Sequence, residues 1–280
     1  MRRLAILALF SIFCSPGFAA GDVLQSLQQS GKLKIGYRTD APPFSYRNEI
    51  GEPAGYTVNL CRAVAAIIGK HLKRPVSLAY VPVTAEDRFD AVRSGKIDLL
   101  CGATTETLSR RKLVAFSVAT FVTGASVIYH SDGPGTFKEL AGRKIGVTAG
   151  TTTEKDLMAT LQKLSIDAQV VRFSNHDAGL KGLKTREADA YFGDRTILAA
   201  LLRNAPDHSA GLVLSDRHFS VEPYALAMPL GSDRFRDEVD RALSHVYRSG
   251  EVVAIYRNSF GNAEPSNFVK ALIVINALAD

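Results

Sequence analysis

The sequence predicts an α/β protein built from two lobes with mostly parallel sheets. Short apolar runs typical of strands alternate with helical segments whose apolar residues recur every three or four positions. The pattern of helix, turn and apolar strand at Asp87–Leu100 returns at Asp177–Phe192, which indicates two similar units. The chain of 280 residues is also longer than one typical core requires.

The first residues have the pattern of a secretory signal peptide. Met1-Arg2-Arg3 is basic, Leu4–Phe13 is apolar, and Gly17 and Ala19 are small residues near a cleavage point. The apolar run is too short to span a membrane, and Phe13 is not the small residue that a lipoprotein signal has before Cys14. We therefore expect residues 1–19 to be removed and the rest to be exported as a free protein.

The mature chain reads as strands and helices in alternation. The predicted strands are Leu33–Tyr37, Val76–Val81, Ile97–Cys101, Lys144–Val147, Gln169–Phe173, Ala190–Phe192 and Ala225–Met228. The predicted helices are Val58–Leu72, Glu86–Ser94, Thr153–Leu164, Asp177–Thr185, Asp194–Arg203 and Phe235–Ser249.

The lobes are predicted to share the chain unequally, with lobe 1 at residues 20–124 and 223–280 and lobe 2 at 125–222. The helices after Asp233 are placed on lobe 1 because an amphipathic tail must bury its apolar face. The segment from Pro265 onward is less regular and is expected to lie along the surface.

Charge and cysteine content restrict the function classes. The 34 lysines and arginines are interspersed with 28 acids, and loss of Arg2 and Arg3 with the leader lowers the net charge from +6 to +4. The absence of a dense basic run with interleaved aromatics argues against nucleic-acid binding. Cys61 and Cys101 lack partners at metal-ligand spacing. They form one disulfide or stay buried thiols, and the sequence leaves both open.

Polar side chains follow the predicted strands of lobe 1, at the edge where open α/β sheets bind ligands. The guanidinium fork of Arg110, after the Thr-rich loop that contains Thr105, suits a carboxylate. Arg38 and Arg88 follow the two preceding strands. Each has a structural alternative: Arg38 is close enough in sequence to pair with Asp40, and Arg88 fits a solvated helix position.

Lobe 2 presents a similar set. Thr151 and Thr152 stand where hydroxyl groups reach an anion at a helix N-terminus, whereas Thr153 is the expected N-cap. His176 and Asp194 follow the next two strands. Instead of binding a ligand, His176 could be a surface residue at the start of a helix, and Asp194 could be the N-cap of the helix that follows it.

A series of short motifs runs in order along nearly the whole mature chain. They are Ile35-Gly36-Tyr37-Arg38, Pro43-Phe44-Ser45-Tyr46, Gly55-Tyr56, Arg88, Ser94-Gly95-Lys96-Ile97-Asp98, Thr104-Thr105, Arg110, Phe116-Ser117, Ile145-Gly146-Val147, Gly150-Thr151-Thr152, Asp194, Glu222-Pro223-Tyr224 and Ser249-Gly250-Glu251. Their number, order and spacing resemble the periplasmic polar amino-acid-binding proteins of ABC transporters, solute-binding protein family 3, and most of all the glutamate/aspartate-binding branch.

The resemblance implies a Venus-flytrap fold of type II with two hinge crossings, and a monomer that needs no cofactor. It also implies a periplasmic location and an inner-membrane ABC permease as the partner. Nucleic acid is not among the implied partners. An acidic amino acid, glutamate or aspartate, is the implied ligand, and it binds by closure of the lobes.

The resemblance further implies roles for the site residues. Arg110 and Thr105 match residues that hold the ligand α-carboxylate, and Asp194 matches the aspartate that meets the α-ammonium group. Arg38 and His176 match residues directed to the side-chain carboxylate. Arg88 and Thr152 are at further lining positions, and Ala85 and Ala103 stand where this branch has serine, which removes two hydroxyl contacts.

A charge count of the predicted pocket favours the same ligand class. Arg38 and Arg110 outnumber Asp194, and His176 and Arg88 add to the positive charge, which complements two carboxylates and one ammonium group. A basic amino acid would place its cation beside Arg38. A neutral polar amino acid such as glutamine fits if Arg38 turns away.

Two other functions are compatible with the fold. An enzyme similar to the periplasmic cyclohexadienyl (prephenate/arogenate) dehydratases needs an acid or base in the cleft, and Glu106 and Asp177 are the candidates. The sequence does not distinguish either from a solvated acid, so we expect binding without catalysis. A receptor's sensory domain needs a membrane span, for which Ala271–Ile275 is too short.

Overall fold

The computed structural model describes residues 22–204 and 211–279, and the predicted signal segment lies outside these ranges. Most of the described strands form two five-stranded sheets. In sheet order, the first consists of β5 (Ser77–Val83), β1 (Lys32–Arg38), β6 (Leu99–Leu100), β13 (Glu222–Met228) and β7 (Ala115–Thr123). The second consists of β10 (Gln169–Phe173), β9 (Lys144–Thr148), β11 (Ala190–Asp194), β8 (Ala125–His130) and β12 (Leu212–Leu214).

Each large sheet has one strand that runs against the others. In the first sheet β1 pairs in parallel with β5 and β6, whereas β13 lies antiparallel between β6 and β7. In the second sheet β9 pairs in parallel with β10 and β11, and β8 lies antiparallel between β11 and β12. The predicted α/β class with mostly parallel sheets is confirmed.

The chain crosses between the two large sheets twice. It leaves the first sheet between Thr123 and Ala125 and returns between Leu214 and Glu222. Glu222 pairs with Thr123, so the return crossing ends beside the outgoing one. The division into lobes at residues 124/125 and 222/223 stays a prediction; below, the first and second lobes mean the parts of the chain around the first and second sheets.

Helices pack on both sheets. Those of the first lobe are α1 (Val23–Ser30), α2 (Tyr56–His71), α3 (Arg88–Arg93), α7 (Asp233–Arg248), α8 (Glu251–Phe260) and α9 (Asn267–Ile275). Those of the second lobe are α4 (Thr152–Leu164), α5 (His176–Lys184) and α6 (Arg195–Asn204). A small antiparallel sheet of β2 (Asp40–Ala41), β3 (Ser45–Arg47) and β4 (Pro53–Ala54) follows β1.

The predicted helices are present, with ends shifted by one or two residues. The strand predicted at Ile97–Cys101 pairs only at Leu99–Leu100, because the Ile97 N–H instead donates to the Ala91 carbonyl of the preceding turn. The strand predicted from Ala225 begins earlier, at Glu222. No strand was predicted at β7 or β8. All six residues of β8 are buried, so its sequence shows no alternation of apolar and polar residues.

The prediction that the C-terminal segment is less regular was wrong, whereas its expected position along the surface is confirmed, because most of its residues are exposed or half-buried. Residues after Pro265 form α9, whose N-cap Ser266 accepts a hydrogen bond from the Val269 N–H at 3.3 Å. Val269 is buried, and the helix packs on β7 and α7. A helix that is apolar on most faces lacks the periodicity by which helices are recognised. Among the described residues no helix is long and apolar enough to cross a membrane.

A disulfide joins Cys61 on α2 to Cys101 at the end of β6, so the pairing that the sequence left open is formed. Both cysteines are fully buried. Cys101 directly precedes the buried loop of residues 102–105, which leads to the candidate site. The bridge therefore anchors one end of that loop to a helix of the core.

Candidate functional site

The ends of the strands in the two large sheets face each other across a cleft. Contacts between the lobes occur there: the hydroxyl groups of Thr105 and Thr152 are 3.1 Å apart, and Arg88 Nη2 is 3.5 Å from the Gly150 carbonyl oxygen. The seven predicted site residues all lie at this cleft, namely Arg38, Arg88, Thr105, Arg110, Thr152, His176 and Asp194.

Arg110 and Thr105 form a unit on the first lobe. Thr105 bridges to Tyr224 at the edge of the first sheet, which fixes the loop after β6. Arg110 opens a short 3-10 turn, and its Nη1 donates to the Thr105 carbonyl at 2.8 Å. The guanidinium lies 5.1 Å from the ring centroid of Phe89. Burial lowers the pKa of Arg110, and the nearby Glu222 carboxylate opposes this effect. A poorly hydrated cation of this kind suits an incoming carboxylate.

Arg88, the first residue of α3, is a completely buried cation that contacts no carboxylate directly in the described structure. Its Nη1 donates to the Ala85 carbonyl at 2.6 Å, and its guanidinium stacks 4.8 Å from the centroid of Phe89. Its Nε is buried without a hydrogen-bond partner. Burial lowers the pKa of Arg88 well below its usual value, and the positive charges of Arg110 and Arg38 add to this effect. The solvated-helix alternative for Arg88 is therefore wrong.

Arg38 forms an ion pair with Asp40, as in the structural alternative considered for it. Its Nε and Nη2 each donate to one carboxylate oxygen of Asp40 at 2.7 Å, and both side chains are buried. Burial opposes ionisation of Asp40, but the charges of Arg38 and His176 and the hydrogen bonds outweigh it and lower its pKa to about 2. Asp40 is therefore a carboxylate that the sequence-based charge count omitted.

His176 is buried at the start of α5 rather than exposed at the surface. Its Nδ1 lies 2.8 Å from the Tyr191 hydroxyl, which in turn is 2.6 Å from the Thr148 hydroxyl. Burial lowers the pKa of His176 to about 4, with Asp40 opposing the shift. The imidazole is therefore neutral at neutral pH and does not add a positive charge to the cleft.

The helix N-cap of α4 is Thr151, and the prediction that Thr153 fills this position was wrong. The Thr151 hydroxyl accepts from the Glu154 N–H at 3.1 Å and donates to the Thr148 carbonyl at 2.7 Å. The hydroxyl of Thr151 is thus hydrogen-bonded to backbone groups at the start of the helix. Thr152, the first helical residue, directs its hydroxyl across the cleft and donates to Glu222 at 2.8 Å.

Two buried acids lie near Arg110: Asp194 on the second lobe and Glu222 on the first. Asp194 ends β11, and its Oδ1 is buried with no hydrogen-bond partner among the described residues, although the Tyr224 hydroxyl is close enough to lower the pKa of Asp194. Glu222 begins β13 and accepts from Thr152 and from the Ser220 hydroxyl at 3.0 Å. Burial raises the pKa of both carboxyl groups. Charge repulsion adds to this effect, from Asp194 on Glu222 and from Asp156 on Asp194.

Sequence reasoning missed Glu222, Tyr191 and Thr148 as members of the site. Glu222 appeared only as part of a motif, and its position at the start of an antiparallel strand gave no sign that it reaches the cleft. The structure also corrects the predicted charge: Asp40 joins Asp194 as a carboxylate, and His176 is neutral. Burial and the charge of Asp194 raise the pKa of Glu222, which favours its protonated form. Three arginines therefore share the cleft with three carboxyl groups.

The alanines that replace the expected serines are both buried beside these groups. Ala85 contributes its carbonyl to Arg88, and Ala103 lies in the loop that precedes Thr105. Among residues 22–204 and 211–279, no group of three or more histidine, cysteine or acidic side chains is arranged to hold a metal ion.

Comparisons with known proteins match most of the chain. The model of the bacterial extracellular solute-binding proteins, family 3, matches residues 33–262. An L-glutamate/L-aspartate-binding protein of Pseudomonas aeruginosa is 30% identical over 247 residues, which are 86% of this chain and 81% of that protein. The match therefore spans both sheets and every residue of the cleft described above.

Two solved structures extend this similarity to the fold. An ancestral arginine-binding protein bound to glutamine is 27% identical, with a TM-score of 0.74 over 83% of this chain and 99% of that one. An ancestral amino acid-binding protein, a precursor of cyclohexadienyl dehydratase, is 25% identical, with a TM-score of 0.73 over 85% of this chain and 99% of that one.

Proposed function

The chain belongs to the bacterial extracellular solute-binding proteins, family 3, and we propose that it captures an acidic amino acid, glutamate or aspartate, for an ABC uptake system. It acts in the periplasm as a monomer and delivers its ligand to an inner-membrane permease. The glutamate/aspartate-binding relative supports this ligand class. The arrangement of charges in the cleft supports it independently.

The invariant part of an amino acid, its α-carboxylate and α-ammonium group, is held by residues on opposite sides of the cleft. Arg110, with the hydroxyl of Thr105, meets the α-carboxylate. Asp194 meets the α-ammonium group, which gives its unpartnered buried Oδ1 a hydrogen-bond donor. These two contacts are common to all α-amino acids and set no preference among them.

The preference for an acidic side chain rests on one observation, the buried Arg88, which contacts no carboxylate within residues 22–204 and 211–279. Arg38 is already paired with Asp40, and Arg110 faces Asp194 and Glu222. Arg88 donates only to carbonyl groups, and its Nε remains unpaired. A ligand side-chain carboxylate supplies the missing negative charge, with Thr152 and His176 lining the same region. A buried cation strongly favours such a partner.

Binding is coupled to closure because the ligand contacts both lobes. Arg88, Thr105 and Arg110 belong to the first lobe, and Asp194 and Thr152 belong to the second. A ligand that bridges them binds the closed arrangement more tightly than the open one and shifts the population towards closure. The closed form is the one that the permease recognises.

The test is a thermal-shift screen of the mature protein against the twenty standard amino acids, followed by calorimetry. Glutamate or aspartate should raise the Tm most, and their amides should raise it less. A screen in which no acidic amino acid shifts the Tm, while a neutral or basic one does, would overturn the proposed ligand class. Titration of the best ligand then gives its Kd and stoichiometry.

Catalysis is not part of this proposal. Neither of the two acids nominated for a dehydratase makes a described ion pair with a cleft arginine: Glu106 is paired with Arg111 at 2.6 Å, and Asp177 lies on α5 near Asp40. Incubation with prephenate and arogenate provides the check. Appearance of an aromatic product would contradict a purely binding role.

A further inference from the structure

Asp40 makes an unusual set of contacts for a residue at a ligand cleft. Both of its carboxylate oxygens accept hydrogen bonds from Arg38 on its own lobe. The Oδ2 atom also accepts from the backbone N–H of His176, at 2.9 Å, on the other lobe. Asp40 is only 4% exposed, so this carboxylate is enclosed between the lobes.

The groups that Asp40 binds are those that a ligand carboxylate would use. The edge of a guanidinium donates two parallel hydrogen bonds to a carboxylate. The first N–H groups of a helix bind anions because they lack partners within the helix. In this protein both kinds of donor, from Arg38 and from the start of α5, are occupied by a carboxylate of the protein itself.

We propose that Asp40 is a specificity-determining residue that takes the place of a ligand carboxylate at Arg38 and α5, so that an acidic ligand side chain is directed to Arg88 instead. This inference rests on the proposed function, because it concerns how an acidic amino acid is recognised. It assigns Arg38 to Asp40 rather than to the ligand. Among the described residues of the cleft, Arg88 alone is then the cation that discriminates an acidic from a neutral side chain, instead of Arg88 and Arg38 together.

The alternative is that Asp40 only holds the lobes together. A contact of that kind affects all ligands equally, because every ligand needs closure. A residue that controls the charge offered to the ligand side chain affects glutamate and glutamine differently. The ratio of the two Kd values therefore separates the two roles, whereas the affinity for either ligand alone does not.

The main variant is Asp40→Asn, which keeps the shape of the side chain and removes its charge. Arg38 then lacks a compensating charge and is available to a ligand carboxylate. We expect the preference for glutamate over glutamine, measured by calorimetry, to increase about tenfold or more, the size of one charge-assisted hydrogen bond. The matched control is Asp177→Asn, which removes a charge that lies near Asp40 but makes no hydrogen bond to an arginine. The ratio of the Kd values for glutamine and glutamate in this control should stay within about twofold of the ratio in the unmodified protein.

The double variant Arg38→Met, Asp40→Asn tests the same assignment by removing both members of the ion pair. It leaves no unpaired buried charge, so it remains usable if Asp40→Asn fails to fold. Its preference for glutamate should fall back from the single variant's value to that of the unmodified protein. Loss of the glutamate preference in the double variant would show that Arg38 itself holds the ligand and would overturn the proposal. An unchanged ratio in a folded Asp40→Asn protein would also overturn it.

The outcomes for the two proposals can be told apart. If the unmodified protein binds glutamine but no acidic amino acid, the proposed function fails. The inference about Asp40 is then supported by a gain of glutamate binding in Asp40→Asn and overturned by its absence. If the unmodified protein binds glutamate and the ratio does not respond to Asp40→Asn, only the inference fails.

Discussion

Replacement of Arg88 by methionine should weaken acidic ligands and stabilise the free protein at the same time. Arg88 is fully buried, its Nε has no partner, and its other contacts are to carbonyl groups. An unsatisfied buried donor destabilises a protein by about 1–3 kcal/mol, and replacing buried charges by apolar side chains is often stabilising. We therefore expect the unfolding free energy of the ligand-free Arg88→Met protein to rise by about 1–3 kcal/mol.

Ligand binding should change in the opposite direction. Truncating one member of a buried, hydrogen-bonded charge pair costs about 2–5 kcal/mol, which corresponds to a loss of glutamate affinity between about 30-fold and several thousandfold. Glutamine lacks the side-chain charge and should lose much less. Calorimetry with both ligands measures the selectivity, and urea unfolding without ligand measures the stability.

Arg93→Met is the matched control, because Arg93 lies on the same helix with a side chain that is 56% exposed and pairs only with Asp90. An exposed pair contributes about 0–1 kcal/mol, so this variant should leave both measurements nearly unchanged. The reasoning is refuted if Arg88→Met keeps its glutamate affinity within about threefold. It is also refuted if the ligand-free variant is clearly destabilised, since Arg88 would then be a structural residue.

Three further outcomes are expected. Arg110→Ala should weaken glutamate and glutamine alike by about 2–5 kcal/mol in calorimetry, because it removes the partner of the shared α-carboxylate; a loss confined to glutamate would contradict this role. Asp194→Asn should also weaken both ligands, by about 2 kcal/mol or more, and unchanged binding would remove Asp194 from the ammonium site. Burial lowers the pKa of His176 from 6.5 to about 4 in the folded protein. As the pH falls from about 6.5 to 4, the imidazole is therefore protonated in the unfolded chain before it is protonated in the folded one, and the free energy of unfolding decreases. Urea unfolding should show that this group lowers the free energy of unfolding by about 3 kcal/mol by pH 4, and the His176→Gln variant should lack that part of the decrease. An identical pH dependence in the variant would show that His176 is not buried as a neutral imidazole.

Most of the residues at this site could be predicted from the sequence with the rule that ligands bind at the carboxyl ends of strands. Thr105 follows β6, and Asp194 ends β11, so their positions depend only on where the strands end. The same rule failed for Glu222, because β13 runs against its neighbours and brings its first residue, not its last, to the cleft. A reversed strand cannot be recognised from its own sequence, since strand direction is set by pairing with distant segments.

Pairing of charges was the other property that the sequence did not reveal. A charge count needs only the identities of residues near the strand ends, but the charge that a ligand meets depends on which arginine is already bonded to an acid. The sequence left open whether Arg38 pairs with Asp40, and hydrogen bonds of 2.7 Å show that it does. The neutral state of His176 likewise depends on complete burial, which its position at the start of a helix does not predict.

These pairings move the expected source of ligand selectivity from one arginine to another. The resemblance to the glutamate/aspartate-binding branch implies that Arg38 binds the ligand side chain. The positive charge of Arg38 is, however, compensated within its own lobe by Asp40, two residues away. Arg88, which fitted a solvated helix position equally well from sequence, is held in place by carbonyl groups and the Phe89 ring. The acids near it in sequence bond elsewhere, since Asp87 accepts from the Thr84 N–H and Asp90 pairs with Arg93. A buried cation that its own protein leaves without a counter-charge is less stable alone than with an anion. For this reason Arg88, rather than the arginine nearest to an acid, should determine whether the ligand side chain carries a negative charge.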